Sequence, residues 1–392
     1  MRTALASLPR SVWLLGLVSF FNDTAGELIY PILPLYLASV LMAGPRVLGL
    51  IEGIAEATGS LLKLASGIGA DRMRRSKPWI VAGYAVAGLS RPLLALAASW
   101  PVVLVLRFAD RIGKGLRSAP RDALLGASVP AHQRGLAYGL HRACDNAGSV
   151  VGPLLAAALL AHQTPLDQIF WWASVGSVLA VLLTLLIKEE PAPPRPSAPR
   201  PDWRPGALPP AFRRYLVVLG VFTLGNASNM FLLLKAKDAG MADYQIPLLW
   251  AVVSLVAAVF ATPLSALSDR VGRRRLISLG WAVYALFYLL LGLAGEGWMM
   301  WALFGFYGLF MAATEGAEKA LVADLLPREQ LGTGFGWFHL VSGLSLLPAS
   351  LLFGSLWEAW SPLAAFGSSA ALALLALVLL RRWVGLPAQD GR

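Results

Sequence analysis

The chain has 392 residues, of which 57% are hydrophobic and only 14% charged, with a mean hydropathy of +0.63. A water-soluble domain carries about 25% charged residues, so soluble and disordered readings are both excluded. The formal charge of +11 at neutral pH then asks first on which side of a membrane the cations lie.

In chain order, Met1 to Arg10 leads into the first of twelve predicted helical spans, 11–37, which carries Asn22, Asp23 and Glu27. No small-residue cleavage site follows a clean apolar core, so a removable signal peptide is not expected. Further spans are predicted at 48–69, 79–98, 102–127, 135–160 and 169–187. The segment Pro191 to Pro210 has nine prolines in twenty residues and reads as a semi-rigid connector. After it come spans at 214–235, 246–267, 276–294, 299–325, 331–353 and 363–380. Each is long enough for roughly 20 apolar residues and reads as a helix, because barrel strands alternate in shorter segments. The fourth and tenth are interrupted by charges and are the weakest by hydropathy. The expected fold is therefore an all-α polytopic membrane protein with a six-helix bundle over 1–189, a linker over 190–212 and a second bundle over 213–392.

Cations set the expected orientation. Of the 33 Lys and Arg residues, 21 fall on one set of sides and only Arg46 and Lys237 on the other, the remaining ten lying inside spans. Both termini are expected on the cytoplasmic side of the inner, cytoplasmic membrane. Much of the +11 is thus topology, which removes the main reason to expect nucleic acid as a partner. The single cysteine, Cys144, excludes an intramolecular disulfide and a Cys-based metal site, and it reads as a small apolar residue. The four histidines show no metal-binding spacing, and no metal or other cofactor is expected. Gly113-Lys114-Gly115 lacks the phosphate-loop pattern and lies inside a span. No nucleophile, base and orienting group recur together, so an enzyme is not expected.

Charges inside spans cost about 2.5–3.5 kcal/mol each at mid-membrane, so they are expected to face a cavity or a partner. Span four holds Arg107, Asp110, Arg111, Lys114, Arg117, Arg121 and Asp122. At 100° per residue all but Arg117 and Asp122 share one face of about 100°. Such a helix cannot neutralise itself. Acids are offered by span one (Asp23, Glu27), span two (Glu52, Glu56) and span five (Asp145, four residues after His141). Glu52 and Glu56 share a face near Lys63, and pairing with Lys63 or Arg91 competes with a coupling role. In the second half the spans offer Lys235, Glu315, Glu318 and Lys319, with Asn226 and Asn229 in span seven.

The halves repeat. Asp71-Arg72 recurs 198 residues on as Asp269-Arg270, and Pro130 with Tyr138-Gly139 recurs 197 on as Pro327 with Phe335-Gly336. Asp269 to Arg274 completes an Asp-Arg-x-Gly-Arg-Arg loop, whereas Arg74 stands at the glycine position of the first copy. On these residues the chain resembles the major facilitator superfamily, and Asp110 to Leu124 (DRIGKGLRSAPRDAL) resembles a recurring bacterial subgroup of it. Gly148-x-x-x-Gly152-Pro153 resembles the superfamily's antiporter motif without its trailing glycines, and it equally permits close helix packing.

The resemblance implies a secondary transporter working by alternating access, with spans one, four, seven and ten around a central cavity. With no ATP-binding motif, energy is expected from an ion gradient, protons first, coupled to a small organic solute of anionic class, with efflux by antiport as one form of the coupling. The expected solute-binding residues are Arg107, Arg111, Lys114, Asn22, Asn226, Asn229, Glu315 and Lys319. Proton coupling is assigned to Asp23, Glu27, Glu52, Glu56, His141 and Asp145, and gating to Asp71, Arg72, Arg121, Asp122, Asp269 and Arg270. The expected partners are the solute, protons or another coupling ion, and the lipid bilayer, with the chain a monomer. A multidrug or metal-ion exporter, a lipid flippase and a non-transporting sensor remain open on the same fold.

Overall fold

The computed structural model describes residues 8–72, 76–130, 133–189, 204–327 and 330–384. Its regular elements are fourteen α-helices and two short 3-10 turns, with no strand among the described residues. In the first half these are α1 (Arg10–Ile29), α2 (Leu33–Ser39), α3 (Pro45–Arg72), α4 (Lys77–Leu93), α5 (Trp100–Ala127), α6 (Arg134–Ala161) and α7 (Leu166–Leu185). In the second they are α8 (Pro210–Leu224), α9 (Met230–Asp238), α10 (Gln245–Val271), α11 (Arg273–Leu293), α12 (Gly297–Asp324), α13 (Leu331–Ala359) and α14 (Pro362–Trp383).

Among the described residues, eight helical stretches are long and apolar enough to cross a membrane: Arg10–Ser39, Lys77–Leu96, Ala137–Ala161, Leu166–Leu185, Arg273–Leu293, Gly297–Asp324, Thr333–Ala359 and Pro362–Trp383. The tenth predicted span, read as weak, is among them. The fourth, α5, is not, because its charged face lowers its hydropathy.

Two predicted spans are not the continuous helices the sequence suggests. The first breaks at 30–32, where Pro31 has no amide hydrogen to give and Pro34 sits in the first turn of α2. The seventh breaks at 225–229, a Gly-Asn-Ala-Ser-Asn run whose short polar side chains compete for backbone groups. Discontinuous helices of this kind carry binding sites in many transporter folds.

Local signals explain several ends. Ser361 caps α14 by accepting from the Ala364 amide at 3.2 Å, with Pro362 in the first turn. Gly272 precedes α11 at φ +97°, a backbone conformation open essentially to glycine.

The chain divides into two compact units, one of residues 1–43, 54–197 and 242–251, the other of 44–53, 198–241 and 252–392. In the first, α1 packs on α6 and α7, and α4 on α5 and α7. Its core is built from Val12, Leu15, Val18, Ile80, Tyr84, Leu125, Ala137 and Ala180, all nearly inaccessible. In the second, α8 packs on α13 and α14, and α11 on α12 and α14. The pairing order is the same, element for element, as the repeat in the sequence implies. Outward faces carry large apolar side chains, such as Trp172 and Val178 on α7 and Leu279 and Leu293 on α11. In water this surface would be a liability; against lipid it is the expected solvent-facing layer.

Candidate functional site: a charged cavity in the first unit

The last two turns of α1 carry Asn22, Asp23, Gly26 and Glu27. Opposite them stand the charged face of α5 and Arg91 near the end of α4. Asp23, Glu27, Arg91, Arg107, Asp110, Arg111, Lys114 and Arg117 line one cavity of about 60 Å³, together with Gly26, Tyr30 and Ser90. One water occupies about 10–15 Å³ of such space, so the cavity holds a few waters or one small acid group. A drug-sized ligand needs a pocket of ~300–1,000 Å³.

Asp110 is the hub. Arg91 Nε donates to its Oδ1 at 3.0 Å, while Arg107 and Arg111 approach its Oδ2 at 3.8 and 3.9 Å. The other edge of Arg91 holds α1, donating from Nη1 to the Asn22 carbonyl at 2.9 Å and to Asn22 Oδ1 at 3.0 Å. Asn22 Nδ2 then donates to Asp23 Oδ1 at 2.8 Å. Arg111 turns outward from the hub to Glu56 on α3, at 3.0 Å. Arg117 is 4% exposed and stacks its guanidinium 4.6 Å from the centre of the Tyr84 ring. Glu27 accepts the indole N–H of Trp250 at 2.8 Å. Among the described residues, and counting Glu56, five cations meet four carboxylates here, an excess of one positive charge with every acid ionised.

Glycines set these distances. A Cβ on Gly26 would lie 3.2 Å from Arg91 Nη2, so the guanidinium reaches α1 only because that side chain is missing. Gly148 and Gly152 of α6 bring their backbone against α1: a Cβ would stand 2.6 Å from the Phe20 carbonyl and from the Thr24 carbonyl respectively. These are the turns that carry Asp23 and Glu27. Gly113 meets Gly83 of α4, and Gly115 meets Leu62 of α3, with Cβ distances of 2.5 and 2.4 Å. The glycines of the Gly-Lys-Gly run are thus helix-crossing points.

In the second unit the 225–229 break is closed by side chains. Tyr284 donates to the Gly225 carbonyl at 2.8 Å and to Asn226 Oδ1 at 3.3 Å, and Tyr307 donates to Asn229 Oδ1 at 2.6 Å. The Ser228 amide donates to Ser350 Oγ at 3.2 Å, and Ser228 Oγ donates to Glu52 Oε2 at 3.4 Å.

Comparison with known proteins agrees with this architecture. The family model of the Major Facilitator Superfamily matches residues 15–234 and again 215–391. The chain belongs to the Major Facilitator Superfamily. An uncharacterised MFS-type transporter of Methanocaldococcus jannaschii is 34% identical over 382 residues, covering 95% of this chain and 94% of that one. The multidrug resistance protein MdtH of Photorhabdus laumondii is 27% identical over 329 residues, covering 81% and 79%. Among solved structures, a POT family transporter in complex with 5-aminolevulinic acid superposes with a TM-score of 0.81 at 13% identity, covering 95% and 96%.

Within this superfamily chain, the structure gathers Asn22, Asp23, Glu27, Arg107, Arg111 and Lys114 around one cavity. Glu56 joins through Arg111, while Arg91 is taken by Asp110 and Asn22; the expected pairing with Lys63 lies outside the described residues. Glu52, 1% exposed, belongs to the second unit, where it accepts the Ser228 hydroxyl at 3.4 Å. His141 and Asp145 form their i, i+4 contact at 3.7 Å, and Asp145 also accepts the Ser19 hydroxyl. Arg121 and Asp122 pair with each other at 3.0 Å. Lys319 is exposed. The side chains of Asp71, Arg72, Asp269, Arg270, Glu315 and Lys63 lie outside the described residues. Sequence reasoning missed Trp250, and it placed neither Asp110 nor Arg91 in the site. Asp110 was recognisable as the single acid inside a stripe of cations; Trp250 left no signal.

Proposed function

We propose that the chain is a proton-coupled secondary transporter with twelve spans in two six-helix bundles, 1–189 and 213–392, joined by the 190–212 linker. In this reading both termini face the cytoplasm, the chain is a monomer in the inner membrane, and it works by alternating access. The carrying observation is the first-unit cavity, where two α1 carboxylates line the same small space as the α5 cations. Asp23 and Glu27 take and release the proton. Arg107, Arg111 and Lys114 hold an acid group on the solute, since guanidinium forks match carboxylate and phosphate oxygens.

Charge balance links the two. Protonating one α1 acid raises the local excess from one positive charge to two, which favours an anion in water-filled space. The cavity's size suits the acid group of a small solute. Asn22 positions Asp23 through its amide. The reading keeps Asn226, Asn229, Glu315 and Lys319 as further solute contacts, and Glu52, Glu56, His141 and Asp145 as auxiliary proton groups. Asp71, Arg72, Arg121, Asp122, Asp269 and Arg270 are assigned to gating.

A second reading comes from the MdtH relative: outward exchange of a drug for protons. It places the same carboxylates at the coupling site and differs in solute and direction. The test is solute flux in proteoliposomes with and without an imposed pH gradient. Accumulation that follows the gradient and collapses with a protonophore supports the proposal. Identical flux under both conditions contradicts it.

A further inference from the structure

A second cavity, of about 480 Å³, lies between the first turns of α11 and the last turn of α14, lined by Arg274, Arg275, Ser278 and Arg381. No carboxylate lines it among the described residues. Membrane topology accounts for cations at these helix ends. It does not account for the Ser278 hydroxyl, which is 1% exposed and finds no hydrogen-bond partner while bordering the cavity. A buried, unmatched hydroxyl is costly unless a ligand completes it.

The surroundings point the same way. Helix α11 begins after Gly272, which has no side chain to cap its first amides, and its first turn carries no acid. Helix N-termini favour anions. Arg273 is engaged by Asp324 at 2.9 Å and Arg274 donates to the Val384 carbonyl at 2.9 Å, which fixes the cavity's rim. On the same two helices Leu279, Leu286 and Val378 are 60%, 51% and 43% exposed, and Trp383 beside Arg382 is 48% exposed. An aromatic at a helix end beside arginines marks head-group depth, and the apolar faces below it suit acyl chains.

We propose that this cavity binds the phosphate head group of an anionic phospholipid, with Arg274, Arg275 and Arg381 as cationic partners and Ser278 as a neutral donor. The acyl chains lie along the exposed apolar faces of α11 and α14. A diffuse basic surface would hold such lipids loosely and at many places; this site holds one.

The experiment is native mass spectrometry of the full chain exchanged into mixed micelles of phosphatidylglycerol or phosphatidylcholine. The wild type retains one phosphatidylglycerol in preference to phosphatidylcholine. The Arg274→Gln, Arg275→Gln, Arg381→Gln triple variant weakens this on the order of 100-fold, at about fivefold per cation. Ser278→Ala weakens it severalfold with no change of charge. Arg213→Gln with Arg214→Gln, on the exposed start of α8, leaves it unchanged. Equal retention by the triple variant, or equal loss in the Arg213 and Arg214 control, overturns the site. Occupancy by millimolar inorganic phosphate with no lipid preference overturns the lipid assignment.

Discussion

The indole N–H of Trp250 points at Glu27 Oε2 from 2.8 Å, and the same indole lies 5.0 Å from the Tyr30 ring. An indole can only donate, and a carboxylate can only accept, so the pair is matched in chemistry as well as in distance. Trp250 is 7% exposed, which keeps water from competing. Residues 223 positions apart thus hold the acid at the end of α1 in place.

A hydrogen bond to a charged group contributes about 1.5–3 kcal/mol. In a double-mutant cycle of Trp250→Phe and Glu27→Ala, read by reversible unfolding in mixed detergent, the coupling energy is expected in that range. A value near zero would show that the two side chains act independently.

The Arg91 and Asp110 pair makes a sharper stability prediction. Both are buried, and removing one partner of such a pair costs about 3–5 kcal/mol by leaving the other charge uncompensated. Arg91→Gln and Asp110→Asn should each destabilise strongly, and the double variant should lose much less than the sum. Additive losses would mean that the contact contributes little.

Gly148 and Gly152 test the close approach of α6 to α1. Alanine at either site puts a methyl group within 2.6 Å of an α1 carbonyl, so α1 must move. Overpacking of this kind costs about 1–3 kcal/mol. Coupled transport should fall along with stability, because the displaced turns carry Asp23 and Glu27. Gly139, with nothing within 4 Å of its added Cβ, is the internal control. Full activity in Gly152→Ala would remove packing on α1 as the motif's role here.

Much of this architecture was legible beforehand. Long apolar runs located the helices, because lipid leaves only helices or a closed barrel to satisfy backbone polar groups and barrel strands alternate in shorter segments. The cation stripe of α5 was visible because helical periodicity is fixed. Helix breaks at 30–32 and 225–229 were not, since averaging hydropathy over a span hides a local loss of hydrogen bonding. Pro31 with Pro34 was the available clue for the first. Partner choice was also hidden. Glu56 reaches Arg111, and Glu52 accepts from Ser228, through tertiary packing that spacing along one helix does not encode.

Solute class is tested by Arg111→Gln and Lys114→Gln against a panel of organic anions and cations. Loss of anion binding by tenfold or more, with little change for neutral compounds, is expected from the cation excess at the cavity. If cations are carried and no anion binds the wild type, the stripe is a counter-ion network and the anionic assignment falls.

The central claim is that Asp23 and Glu27 carry the coupling proton, and solute counterflow set beside uphill accumulation tests it most directly. Asp23→Asn and Glu27→Gln in proteoliposomes should each retain solute exchange at equal pH on both sides. Each should lose accumulation driven by a pH gradient. Wild-type accumulation in both variants would contradict the account, because neither carboxylate would then be needed to convert the proton gradient into solute movement.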